Sequence, residues 1–244
     1  MTLFLLIFQG LTIRQLSLRK PTNFVQLVDG KLVNTDNLAR EPEEIRQFAT
    51  KIMTSMFDWS GKIPPQNIEQ VSQPKLDIGI LISTNNGGRK RVTTSSWLAS
   101  FALSEDFRQG FLSTIAEMTP PEVFSNNNNQ GIEGKLTIKR IDPPQQISAG
   151  EWRVSMVADL IQQKRGDERK VIVPFNKDLL IRATDSFDYS LPEKATNLQK
   201  AIYSIRTNKL EIYEMRDLCL ADQYEGLPTN KLGICKNREG NFTR

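Results

Sequence analysis

The chain is 244 residues long, 39% hydrophobic and 25% charged, with 32 basic against 28 acidic side chains and a formal net charge of +4. This composition supports a sizeable core and excludes both a disordered chain and a polytopic membrane protein, while the mild positive excess does not point to nucleic acid. Histidine is absent, which excludes imidazole acid–base catalysis and every His-ligated metal site, and the two cysteines cannot complete a four-ligand zinc site.

Residues 1–20 form an apolar segment in which Leu3-Phe4-Leu5-Leu6-Ile7-Phe8 opens a run that ends at Ile13. The run is about half of the roughly 20 residues that a spanning helix needs. A basic stretch before it and a small-residue cleavage site after it are both missing, so a secretory signal peptide fits poorly. Two readings stand. The segment is the C-terminal half of a membrane anchor that starts further upstream, or it is a buried or interfacial helix of a soluble domain. In the membrane case Arg14, Arg19 and Lys20 sit among headgroups, and the positive-inside tendency favours a cytoplasmic side for the domain C-terminal to them.

Residues 21–220 read as an α+β domain. Phe24 to Val28 and Lys31 to Val33 are extended around an Asp29-Gly30 turn, and a helix runs from Pro42 to about Trp59. Its proline suits the first helical position, Glu43 and Glu44 suit the positive end of the dipole, and Gly61 lies past its end. Ile45, Phe48, Ile52, Met53, Met56 and Phe57 fall on one face of a 3.6-residue period, the pattern of a helix laid on a core. Ile78, Ile80 and Ile82 alternate within a strand over Leu76–Ile82, followed by a tight turn at Asn85-Asn86-Gly87-Gly88. Ser95 to Met118 is helical in two pieces, with Ser104 placed to cap the second, and Pro120-Pro121 stops it.

Strands dominate afterwards. Lys135 to Ile141 alternates, Asp142-Pro143-Pro144 breaks the run, and Trp152 to Gln163 carries Trp152, Val154, Met156, Ala158 and Leu160 on one face. A turn at Lys164-Arg165-Gly166-Asp167 leads into Lys170 to Phe175, which Leu179 to Ala183 extends beyond a kink. Leu191 to Arg206 reads as loop with a short turn of helix, and Leu210 to Leu218 as the last strand. Residues 221–244 are polar and glycine-rich, read as a mobile tail. Helices first and meandering strands afterwards give an α+β order in which helices pack on a curved antiparallel sheet.

Several clusters invite a chemical reading. Arg89, Lys90 and Arg91 follow two glycines but lack the spacing of a phosphate-binding loop; they read as a solvated hairpin tip or as a contact for acidic headgroups or an acidic partner. Arg165-Gly166-Asp167 matches an adhesion tripeptide, which a turn between strands also explains. Asp185 and Asp188, beside Tyr189, are the candidate carboxylates should a pocket exist. Cys219 and Cys235 are a candidate disulfide in an oxidising compartment and incidental thiols in the cytosol. No cofactor, metal site or nucleic-acid partner is expected; the aromatics Trp97, Phe101, Phe107 and Phe111 lie at helical spacing rather than alternating with basic residues on a strand.

The order of elements resembles the periplasmic domain of the bitopic inner-membrane component of type IV secretion machines, the VirB-eight family. The apolar start, Phe24 to Gly30, the helix from Pro42, the helix from Ser104 to Met118, the strands from Lys135 to Arg182 and Asn208-Lys209-Leu210-Glu211-Ile212 carry the resemblance. Lys209 stands where that family has proline, and the Leu76–Ile82 strand is additional. The resemblance implies a nuclear transport factor two-like cone and a structural assembly role without an active site, on the periplasmic side. The expected function is therefore a non-enzymatic, membrane-tethered domain that associates with itself or with protein partners. The alternative is a soluble pocket protein of the same fold that binds or transforms a small apolar ligand.

Overall fold

The computed structural model describes residues 24–26, 32–34, 38–65, 71–127, 130–184, 191–192 and 194–218. The chain divides into two units, Met1–Ala39 and Arg40–Arg244. In the first, strands β1 (Phe24–Gln26) and β2 (Leu32–Asn34) pair antiparallel.

The second unit runs through helix α1 (Pro42–Met56), the hairpin β3 (Ile80–Ser83) and β4 (Arg89–Val92), helices α2 (Thr94–Ala99) and α3 (Glu105–Met118), then β5 (Ile132–Ile141), β6 (Gln145–Ser148), β7 (Glu151–Lys164), β8 (Lys170–Pro174), β9 (Lys177–Ala183), helix α4 (Asn197–Arg206) and β10 (Leu210–Asp217). It is a mixed α+β unit with a six-stranded antiparallel sheet. The path β10-β9-β7-β5 forms its body, while β6 and β8 pair only with β7 among the described residues.

The sheet is organised around β7. Its residues alternate without a break from Trp152 to Leu160, so Trp152, Val154, Met156, Ala158 and Leu160 are all buried on one face. Each flank of β7 is shared by two strands. On one side β5 pairs with Met156–Lys164 and β6 with Glu151–Arg153; on the other, β8 pairs with Asp159–Gln163 and β9 with Glu151–Met156. Pro143 and Pro144 force the first break, since neither can donate to the ladder. The second lies at Phe175-Asn176. There Phe175 N–H donates to Ala158 O (2.7 Å), and Ala158 N–H donates to Asn176 Oδ1 (3.1 Å), so the backbone of β7 stays satisfied where its neighbours part. The break also turns the Phe175 ring inward, edge-on to Phe57 at 4.6 Å.

Helix α1 lies against β5 and α2 and buries Ile45, Phe48, Ala49, Ile52, Met53 and Met56 in the same core as this apolar face. The helix ends at Met56, three residues before the expected Trp59, because the backbone of Trp59 pairs with β5 instead. Trp59 and Gly134 exchange both backbone hydrogen bonds, at 2.9 and 3.1 Å. A Cβ on Gly134 would stand 2.6 Å from the Trp59 ring, so the contact admits only glycine. The carbonyls that α1 leaves open are taken by hydroxyls at the start of α2: Ser96 Oγ donates to Met56 O (2.6 Å) and Thr93 Oγ1 to Asp58 O (3.0 Å).

Four local expectations need correction. Ser104 precedes α3 but makes no side-chain cap; its N–H donates to Ile212 O at 3.0 Å, tying the helix start to β10. The expected strand over Leu76–Ile82 begins only at Ile80, because Gly79 turns the chain with a φ of 72° and Ile78 faces outward. The expected loop before the last strand contains the ten-residue helix α4, fastened by a capping box between Thr196 and Gln199. Strand β6 was not anticipated, since its polar residues Gln145 and Gln146 show no apolar alternation. Lys209 holds a φ of 52° before β10, a conformation that the fixed φ of proline cannot reach.

The burial of the α1 stripe in the core it shares with the sheet yields a direct expectation. Phe48→Ala should cost about 3–5 kcal/mol, a fall in Tm of roughly 6–20 °C for a unit of this size. A melt followed by circular dichroism that shows no change would overturn the helix-on-sheet arrangement.

Candidate functional site

Much of the described polar interior is occupied in holding backbone, although the buried Trp59 Nε1 and Arg46 Nε have no hydrogen-bond partner among the described residues. Asp77 is buried, and its carboxylate accepts from Thr94 N–H (2.6 Å), from the Thr94 hydroxyl (2.8 Å) and from Gly79 N–H (2.9 Å). It thereby joins the chain before β3 to the first turn of α2, where a carboxylate also meets the favourable end of the helix dipole. Sequence reasoning did not single out Asp77; its place three residues ahead of a strand gave no sign of the long-range contact. Thr119 Oγ1 donates to Ile115 O (2.7 Å) and Ser100 Oγ to Trp97 O (2.6 Å).

Arg165 is similarly committed. Its Nε reaches Glu133 Oε1 (2.8 Å), and its guanidinium nitrogens reach Ser60 O (3.0 Å) and Ser125 O (3.2 Å). Glycine is favoured at position 61, with a φ of 68° and the Val123 carbonyl oxygen 2.5 Å from where a Cβ would stand, and at position 131 a Cβ would stand 2.7 Å from that guanidinium. The tripeptide Arg165-Gly166-Asp167 is thus a turn whose arginine ties three segments together. Its aspartate is turned the other way, toward Arg169 at 2.7 Å. That hydrogen-bonded guanidinium holds the Asp167 carboxyl down at about 2.

The basic cluster has a different character. In the β3–β4 hairpin, Leu81 lies opposite Arg91, Ile82 opposite Lys90 and Ser83 opposite Arg89. Ile80 and Ile82 pack against the core together with buried Val92, so the other face, with Leu81, Ser83, Arg89 and Arg91, is turned to solvent. The hairpin is clamped at both ends. Asp77 holds its root, while at the tip Asn85 N–H donates to Ser113 Oγ (2.9 Å) and Asn86 Nδ2 to Glu117 Oε1 (3.0 Å), both on α3. Gly87 closes the turn at a φ of 77°.

Arg46, Arg108, Arg140, Arg165, Arg169, Arg182 and Arg216 each have a carboxylate partner. Arg89, Lys90 and Arg91 are exposed and form no ion pair among the described residues. Three consecutive cations without ion pairs among the described residues make a local positive patch, and such a patch raises the local concentration of anionic partners.

A second exposed feature is β8, whose Val171, Ile172 and Val173 are all open to solvent. Lys170 and Pro174 flank the three, residues that restrain open edge strands from indiscriminate pairing.

The remaining sequence candidates, Asp185, Asp188, Tyr189, Cys219 and Cys235, lie outside the described residues, as do residues 1–20 and the tail 221–244. Among the described residues no group of three or more His, Cys, Asp or Glu could hold a metal ion, and no helix is long and apolar enough to cross a membrane. Compared with known proteins, the chain matches no family model and no curated protein.

Asp77→Ala removes three bonds at once and leaves the Thr94 N–H unpaired, and should lower stability by about 1–3 kcal/mol in urea unfolding. Arg89→Ala, on the open face of the hairpin, should stay within about 0.5 kcal/mol of the parent. Equal effects from the two substitutions would show that Asp77 is not the clamp described.

Proposed function

We propose that the chain is a non-enzymatic assembly domain of a membrane-associated complex, tethered through residues 1–20 and acting through contacts with itself or with other proteins. The observation that carries this reading is the division of labour among its polar groups. Asp77, Arg165 and the buried hydroxyls of Ser96, Ser100 and Thr119 are spent on fastening backbone. What remains uncommitted, the cationic hairpin and the apolar edge of β8, lies on the outside. Such a distribution suits a body that offers surfaces rather than one that surrounds a reacting molecule.

The element order that resembles the VirB-eight family supports a finer version: a nuclear transport factor two-like cone as the form of the α+β unit, and a secretion-type envelope complex as its setting. In that version the open edge of β8 is a natural surface for association, since an unpaired strand can be continued by a strand of another chain.

Two measurements test the reading. After a high-salt wash, the full chain should remain in the membrane fraction and a chain starting at Pro21 should not; equal partition of the two would overturn the tether. In sedimentation velocity, Ile172→Lys should shift the domain toward monomer, whereas a parent that is monomeric at all concentrations would remove self-association from the proposal.

A further inference from the structure

We infer that the outer face of the β3–β4 hairpin is a docking surface for an anionic lipid bilayer, a second membrane contact separate from residues 1–20. The inference rests on the membrane association under Proposed function but is read from different residues. Arg89 and Arg91 stand on that outer face, and Lys90 between them, opposite Ile82 and so on the other side of the strand, is exposed as well. None of the three has an ion pair among the described residues, and large apolar side chains that precede them in the chain are left uncovered. Leu81 is 52% exposed directly opposite Arg91, Ile78 is 77% exposed three residues earlier, and Leu76 is 48% exposed.

Charge and apolarity together distinguish this occupant. A cationic patch alone would serve any acidic partner. Exposed leucine and isoleucine among unpaired cations suit the boundary between headgroups and acyl chains, where apolar side chains enter the hydrocarbon and the guanidinium and ammonium groups stay with phosphates. The two carboxylates that hold the hairpin at root and tip, Asp77 and Glu117, spend their hydrogen bonds on Thr94, Gly79 and Asn86 and form no ion pair with the three cations. The mounting also fits. Asp77 at the root and Ser113 at the tip hold the hairpin on the helices, so its outer face is presented without an ordering cost at the moment of contact.

The test uses the full chain and two kinds of vesicle, phosphatidylcholine alone and phosphatidylcholine mixed with phosphatidylglycerol, in cosedimentation. A tether through residues 1–20, with its own Arg14, Arg19 and Lys20, is common to parent and variant, so the hairpin is read from the change between them in the ratio of the two affinities. The parent should prefer the anionic vesicles, and Arg89→Gln/Lys90→Gln/Arg91→Gln should reduce that preference on the order of 100-fold, about fivefold for each cation. In a Cys219→Ser/Cys235→Ser background, a polarity-sensitive dye on Ile78→Cys should shift to the blue with anionic vesicles. An unchanged preference in the triple variant overturns the inference, as does a dye that stays in water while the chain is bound. Binding of polyglutamate that needs the three cations, with no effect of the triple change on vesicles, overturns it in favour of an acidic protein. Failure of the tether appears instead as loss of binding to neutral vesicles, so the two proposals fail separately.

Discussion

The unbroken alternation of β7 is the constraint on which the rest of the structure depends. A strand that sends Trp152, Val154, Met156, Ala158 and Leu160 to one side cannot slip by one residue without exposing all five, so the register of every neighbour follows from it. Fourteen residues exceed what one neighbour supplies on either edge, and both flanks are completed by two strands in succession. The interruptions fall at Val154-Ser155 on one flank and Val157-Ala158 on the other, where Asp142 on the first and Phe175 and Asn176 on the second satisfy the backbone of β7 that its neighbours leave open. Register shifts in β5, β6 and β10 add local twist.

Covering that apolar face imposes the next layer. Helix α1 contributes six buried side chains to the same core, and the helix must then stop early enough for Trp59 to reach the edge of β5. The exchange of backbone bonds between Trp59 and Gly134, with the indole lying over a residue that has no side chain, joins the helical layer to the sheet by geometry as well as by apolar contact. From there the hydroxyls of Thr93 and Ser96 link α1 to α2, and Asp77 links α2 to the root of the hairpin. The hairpin's outward face is therefore fixed by a chain of contacts that begins in the core.

This sequence of dependencies explains why polar residues divide as they do. Groups near the core are needed to satisfy backbone that would otherwise be buried unpaired, at a cost larger than one hydrogen bond returns. The hairpin lies at the end of the chain of contacts, supported on one face, and carries no structural duty on the other. Its cations and its exposed leucine and isoleucine are thus available to something outside the fold.

The α+β order, the inward face of β7 and the stripe of α1 were legible in the sequence because they rest on local periodicity, which a run of side chains carries in itself. The absence of histidine bounded the chemistry in the same direct way. Strand β6 escaped because Gln145 and Gln146 are extended by their pairing with β7 and not by their own pattern. Helix α4 was underread although Thr196 and Gln199 have the spacing of a capping box, a signal present in the sequence that the reading passed over. The three basic residues were visible as a cluster, but their lack of ion pairs was not, and neither were the partners of Asp77 and Arg165. Apart from the Gly79 N–H beside Asp77, those are contacts across 17 to 105 positions. Pairing at such separations is decided by which surfaces the packed core brings together, and only the tertiary structure sets that.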